Sequence, residues 1–159
     1  MGKVFKYGDD VNTDVIFPGK YTYTIDDPKE MAEHALEDLD PEFVNKVEEG
    51  DVIVAGKNFG MGSSREQAAT CLVYSGVSAI IAKSFARIFF RNAINNGLPA
   101  IIHPKAAEDI KNGDEVEVDL KKGVIKAENK EYSFEPYPDK LLDILNSGSL
   151  IKWVENQLR

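Results

Sequence analysis

The sequence predicts an α/β fold in which a parallel β-α-β core is joined to an antiparallel portion. Residues 51–102 run in the order strand, helix, strand, helix, strand, and parallel strands joined by helical crossovers give this order. Residues 116–134 change to alternating apolar and charged side chains, which is typical of an antiparallel meander. With 159 residues the chain is long enough to bury a core. We therefore expect a single domain spanning residues 1–159.

The first third of the chain is divided by turn signals. Asp27-Pro28 is typical of a helix start, because proline suits the first helical turn. The predicted elements are a strand at 3–7, a turn at 8–14, an extended piece at 15–17, a helix from 28 to about 36 and a helical turn between 41 and 50.

The central and final segments are more regular. Ser84 is the expected N-cap of a helix that ends before Gly97. The remaining predictions are strands at 51–55, 77–82 and 100–102, helices at 64–75, 84–96 and 106–111, the meander at 116–134, and a helical tail after Pro138.

Composition limits the classes of partner and site. The net charge is −8, and 27 acidic residues outnumber 19 basic ones, which argues against a nucleic-acid partner. The single cysteine, Cys71, excludes an intrachain disulfide and a zinc or iron–sulfur site made from cysteines of this chain alone. Apolar runs stay well below the roughly 20 residues that cross a bilayer, and the N-terminus has no apolar signal core. We expect a cytoplasmic protein without a membrane partner.

The glycine-rich stretch GKNFGMGSSRE, residues 56–66, carries the most chemical information. Its glycines let the backbone approach another molecule closely. Ser63, Ser64 and Arg65 fall at the predicted helix start, where free N–H groups and the helix dipole favour an anion. Arg65 adds charge-assisted hydrogen bonds, so a carboxylate or a phosphate fits. The alternative is that the glycines only shape a tight turn, with Ser63 or Ser64 as N-cap.

Spacing excludes several common motifs. Arg65 stands where G-x-G-x-x-G needs its third glycine, and the loop has no lysine beside a Ser or Thr as in Walker A. Asp10, Asn12 and Asp14 begin like a calcium loop, but Val15 replaces the required glycine. Nucleotide and calcium sites of these kinds are therefore not expected.

Three stretches, GKNFGMGSSRE, GVSAIIAKSFARIFFRNAINNGLP and NTDVIFPGKY, closely resemble the aconitase family, and within it the small subunits of isopropylmalate dehydratases. The resemblance runs from about Lys3 to Leu98. It implies a swivelling domain of β/β/α type (aconitase domain 4-like) that caps a large subunit, as a heterodimer or heterotetramer. In that family the large subunit holds a [4Fe–4S] cluster by three cysteines. A chain with Cys71 alone would then be half of an enzyme.

The same resemblance implies roles for individual residues. Ser63 matches the serine that takes the α-proton of a 2-hydroxy acid as an alkoxide-type base, and Ser64 and Arg65 match residues that clamp a substrate carboxylate. Asp14 matches a carboxylate that orients catalytic groups, and the alternative is an Asx-type turn closing on its own backbone. The sequence departs from many relatives at Gln67, where histidine is common, and at Met61, where cysteine is common.

Tyr23 lies at the spacing of the family's substrate-specificity loop. Relatives that accept an additional carboxylate place an arginine near this position, whereas an aromatic ring packs an isopropyl group. The resemblance therefore implies isomerisation of 2- and 3-isopropylmalate through isopropylmaleate, in leucine biosynthesis. Homoaconitate, citrate and methylated malates are the alternative substrates, and Tyr23 is a surface aromatic if the alignment slips by one. An alternative of another class is a non-catalytic anion-binding domain.

Overall fold

The computed structural model describes residues 2–63 and 65–158, which contain one seven-stranded sheet in the order β4-β3-β2-β1-β5-β6-β7. Strands β4 to β1 pair in parallel, and β1, β5, β6 and β7 pair antiparallel. The predicted α/β class, with a parallel core and an antiparallel portion, is confirmed. The strands are β1 Gly2–Lys6, β2 Val52–Ala55, β3 Ala79–Ala82, β4 Ala100–Ile102, β5 Glu115–Asp119, β6 Val124–Ala127 and β7 Lys130–Ser133.

Helices α4 and α5 form the two crossovers between the parallel strands β2, β3 and β4. The helices are α1 Thr13–Ile16, α2 Pro28–Ala32, α3 Phe43–Lys46, α4 Glu66–Tyr74, α5 Arg87–Asn95, α6 Pro104–Asp109, α7 Asp139–Asn146 and α8 Leu150–Gln157, and a 3₁₀ turn spans Gly19–Tyr21. Among the described residues, every helix is too short or too polar to cross a membrane.

Both faces of the parallel strands are covered. Successive residues of a strand point to opposite faces, so Ile53 packs in one apolar cluster and Val54 in the other. The first cluster lies under α2, α4 and α5, and the second under α6 and the meander. This burial explains why β2 and β3 are continuous apolar runs rather than alternating ones.

Two local predictions in the first third were wrong. Residues 15–17 were expected to be extended, but Thr13–Ile16 is a helical turn, because the Asn12 side chain caps it by accepting a hydrogen bond from Val15 N at 2.9 Å. The predicted helix from 28 to about 36 ends at Ala32. Buried Leu36 has φ 57° and donates its N–H to Ile16 O at 2.7 Å, and a continuing helix would break this tertiary contact.

The start of α5 also differs from the prediction. Ser84 does not cap the helix, which begins at Arg87. The Ser84 hydroxyl instead accepts a hydrogen bond from Asn58 N at 2.9 Å, in the glycine-rich loop. Ser84 therefore joins two loops, and the N-cap of α5 moves two residues along the chain, to Ala86.

Candidate functional site

The loops that follow β1, β2 and β3 meet at one edge of the sheet. These strands are parallel, so their carboxyl ends lie together, which is where open α/β sheets bind ligands. Single β-bridges join Asn12 to Met61 and Phe59 to Phe85, tying the three loops side by side. The glycine-rich loop occupies the middle of this edge.

Gly60 allows the loop to pack directly on α5. It has φ +86°, and a Cβ atom at this position would overlap the ring of Phe89. The Phe89 ring also packs edge-on against Phe59, with centroids 5.2 Å apart. The Phe59 amide and carbonyl bond to Ser84 and Ala86, respectively. The loop and the start of α5 are therefore held in a fixed arrangement.

Thr13 fixes the main chain around Ser63. Its side chain is buried, with the residue only 2% exposed, and its hydroxyl donates to Ser63 O at 2.8 Å. Its backbone N–H donates to Met61 O, also at 2.8 Å. Ser63 itself is exposed and faces a cavity. The Asn-Thr-Asp turn thus positions the predicted base.

Arg65 and Asp14, which the sequence predicted as site residues, form an ion pair with Nη2 2.5 Å from Oδ1. The Arg65 side chain is only 14% exposed. Its guanidinium also donates to Thr22 Oγ1 at 2.8 Å and to Phe17 O at 3.0 Å. The side chain that accepts a backbone N–H in this turn is that of Asn12, which bonds to Val15 N. The Asp14 carboxylate instead accepts a hydrogen bond from Arg65.

A cavity of about 360 Å³ is lined by the glycine-rich loop and the first turn of α5. It brings together Ser63 and Arg65 as the sequence predicted, whereas Ser64 lies outside the described residues. Arg87 belongs to the resembling stretch GVSAIIAKSFARIFFRNAINNGLP, where packing or surface pairing explains an arginine as well as substrate contact does, and the structure places it on the cavity as the first residue of α5. The lining residues are Thr13, Gly60, Gly62, Ser63, Arg65, Ala86, Arg87, Ile88, Phe89 and Asn92.

Tyr23 does not line this cavity. It is 98% exposed, just after the 3₁₀ turn. Its neighbour Thr22 is held from two sides, because Arg65 donates to its hydroxyl and Gln67 Nε2 donates to its carbonyl at 3.0 Å. Tyr21 packs inward on His34, with ring centroids 4.1 Å apart. The two tyrosines therefore have opposite environments, and Tyr23 presents its whole ring to solvent.

Cys71 does not fit an iron–sulfur ligand. The side chain is fully buried, and its thiol donates to Ala68 O at 3.2 Å. Burial raises the pKa of the thiol far above its usual range, so the thiolate that binds metal is disfavoured. Within residues 2–63 and 65–158, no group of three or more His, Cys, Asp and Glu side chains is placed to hold a metal ion.

Comparison with known proteins gives consistent results. Residues 9–106 match the family model of the aconitase C-terminal domain. The chain is 54% identical to the 3-isopropylmalate dehydratase small subunit of Caldicellulosiruptor saccharolyticus, covering 99% of this chain and 92% of that protein. The chain is also 54% identical to the Aquifex aeolicus protein of the same name, with 99% of this chain and 95% of that protein covered. A crystal structure of 3-isopropylmalate dehydratase from Methanocaldococcus jannaschii superimposes with a TM-score of 0.90 and is 49% identical in sequence. The match covers 99% of this chain and 93% of that chain.

Proposed function

Because this chain belongs to the family of aconitase C-terminal domains, we propose that it acts as the small subunit of a 3-isopropylmalate dehydratase. The reaction interconverts 2- and 3-isopropylmalate through isopropylmaleate, by dehydration and rehydration in leucine biosynthesis. The observation that carries the proposal is the cavity in which exposed Ser63 lies beside the Arg65–Asp14 ion pair. Relatives named for this activity, similar over nearly the whole chain, support it.

In this proposal Ser63 Oγ takes the proton from the carbon next to a substrate carboxylate. A serine hydroxyl is a poor base in water, so its anion needs positive groups placed around it. The Arg65 guanidinium and the first turn of α5 line the same cavity as Ser63. Exclusion of water would strengthen the attraction of the serine anion to the Arg65 guanidinium and to the N-terminal end of α5. A positioned base of this kind typically raises the reaction rate by about 10²- to 10⁴-fold.

Arg65, together with Ser64, is proposed to bind a substrate carboxylate. Asp14 supports this role by holding the guanidinium in one orientation through the ion pair. Arginine suits the task because its guanidinium is always charged and has enough donors to bond to the protein and still offer an N–H to the substrate.

We propose that Tyr23 selects the substrate after assembly with a large subunit. The residue is 98% exposed and does not line the cavity within this chain. The preceding residue, Thr22, is hydrogen-bonded to Arg65 and Gln67. These bonds fix the backbone position from which the Tyr23 side chain extends. An aromatic face suits an isopropyl group and offers no charge to a third carboxylate.

A large subunit is proposed to supply the [4Fe–4S] cluster, since Cys71 does not fit a cluster ligand. The small and large subunits would form a heterodimer or heterotetramer in the cytoplasm, with activity only in the assembled enzyme. The continuous sheet from β4 to β7 supports treating residues 1–159 as one swivelling unit.

Anaerobic co-purification with the large subunit of the same organism tests this function, followed by turnover of isopropylmalate, citrate and homoaconitate side by side. Preferential turnover of isopropylmalate is expected. A preference for a tricarboxylate would contradict the role of Tyr23 in substrate selection, but would leave the proposed dehydration with Ser63 as base unaffected. Lack of association, or of activity with an intact cluster, would favour a non-catalytic anion-binding domain.

A matched pair of variants isolates the role of Tyr23. Tyr23→Ser should reduce the preference for isopropylmalate over citrate, because the ring that packs the isopropyl group is lost. Tyr74→Ser, which alters another exposed tyrosine at the end of α4, should leave that preference unchanged. Equal substrate preferences in the two variants would contradict the assignment of Tyr23.

A further inference from the structure

Arg87 lies on the same cavity as Ser63, on the α5 side. Its position is well defined, because the start of α5 is tied to the glycine-rich loop. Phe59 N donates to Ser84 O at 3.1 Å, Ala86 N donates to Phe59 O at 3.0 Å, and Phe89 packs on Gly60. Arg87 and Ser63 therefore belong to one rigid arrangement.

Arg65 has few hydrogen-bond donors left for a ligand. A guanidinium has five N–H donors. Three hydrogen bonds to Asp14, Thr22 and Phe17 already use donors of both terminal nitrogens. The buried Nε has no hydrogen-bond partner in the described part of the chain. At most one N–H, on Nη1, remains for a ligand, so Arg65 can serve one carboxylate oxygen, whereas a dicarboxylate presents two carboxylate groups.

Arg87 has the free capacity that Arg65 lacks. It is exposed, and within residues 2–63 and 65–158 its side chain makes no ion pair or hydrogen bond. It is also the first residue of a nine-residue helix without a side-chain cap. The N–H groups and the positive end of the helix dipole add to its own charge. The α5 side of the cavity therefore favours a second anionic group.

We propose that Arg87 binds the second carboxylate of a dicarboxylate substrate, so that the substrate spans the cavity between Arg65 and Arg87. This inference rests on the proposed function, in which the cavity is the substrate site. Ser63 faces the same cavity as both arginines, so a substrate held at both ends would present its intervening carbons to the base. Arg87 is thus a substrate-binding residue in addition to those that the sequence predicted.

The test compares Arg87→Gln and Arg87→Lys with wild type in the reconstituted two-subunit enzyme. Loss of a charge-assisted hydrogen bond predicts that Arg87→Gln raises KM for isopropylmalate by about ten-fold or more. Arg87→Lys should recover part of this loss, since it keeps the charge but not the fork. Arg91→Gln, an exposed arginine one turn along α5 that does not line the cavity, is the control and should leave KM unchanged.

Inhibitors separate carboxylate binding from a general loss of structure. Arg87→Gln should weaken inhibition by succinate, a dicarboxylate, and leave inhibition by the monocarboxylate isobutyrate unchanged. An active wild-type enzyme with unchanged KM and succinate inhibition in Arg87→Gln would overturn the inference while retaining the proposed function.

If the wild-type complex is inactive, the proposed function fails, and succinate binding to the complex by calorimetry still tests Arg87. Weaker succinate binding to Arg87→Gln than to Arg91→Gln supports the inference. Equal binding, or none by the wild-type complex, overturns it.

Discussion

Thr13→Val removes one buried hydroxyl and nearly preserves the shape of the side chain. The lost hydrogen bond joins Thr13 Oγ1 to Ser63 O at 2.8 Å, and the residue is 2% exposed. A hydrogen bond of this kind contributes about 1 kcal/mol net, and an acceptor that is left partly desolvated without a partner adds to the loss. We expect the free energy of unfolding to fall by about 1–2 kcal/mol. For a domain near this size each kcal/mol lowers Tm by about 2–4 °C.

Two measurements check this prediction. Thermal and urea unfolding of the chain give the stability change, and turnover of the reconstituted enzyme gives the effect on Ser63. We expect kcat to fall more than KM rises, because the base moves while the carboxylate contacts remain. Thr13→Ser keeps the hydroxyl and loses only a methyl group, so it should retain more of kcat than Thr13→Val. Wild-type stability and kcat in Thr13→Val would refute the positioning role.

Three further predictions concern the loop and its surroundings. Arg65→Lys cannot reproduce the three hydrogen bonds of the guanidinium, so KM should rise by about ten-fold or more, and unchanged steady-state kinetics would contradict the clamp role. Gly60→Ala should lower the free energy of unfolding, measured in urea, by about 2–4 kcal/mol, because the added Cβ meets both a positive φ and the Phe89 ring. A loss below about 1 kcal/mol would contradict the fixed arrangement of this loop. The Cys71 thiol, buried and with a raised pKa, should react with a thiol reagent at pH 8 only as the chain unfolds, and rapid labelling of the native chain would argue against this burial.

The parts of the fold that the sequence predicted well are those in which local pattern and burial agree. Strands β2 and β3 are buried on both faces, so their sequences are short apolar runs bounded by turn residues, a pattern that predicts a buried strand. The glycine-rich loop was found because close approach to Phe89 requires glycine at position 60. The pairing of Ser63 and Arg65 in one cavity follows from their place in that loop.

The helical turn at Thr13–Ile16 depends on a local cap by Asn12, but the other two wrong predictions lie where a long-range contact outweighs the local pattern. The end of α2 depends on a hydrogen bond from Leu36 to Ile16, 20 residues earlier in the chain. The start of α5 depends on Ser84 binding Asn58 in another loop, which places Arg87 in the first turn. Neither partner is indicated by spacing or propensity, so the place of Arg87 on the cavity needed the structure.

The most direct test of the account is kcat of the reconstituted enzyme carrying Ser63→Ala on isopropylmalate. Ser63 is exposed at the cavity, so the substitution should leave folding and subunit association intact, as melting and co-purification would verify. Ser78→Ala, an exposed serine at the opposite end of the strands, is the matched control and should retain wild-type turnover. We expect kcat to fall by about 10²-fold or more in Ser63→Ala, the loss typical of a missing positioned base. Near-normal turnover would contradict the assignment of Ser63 as the base.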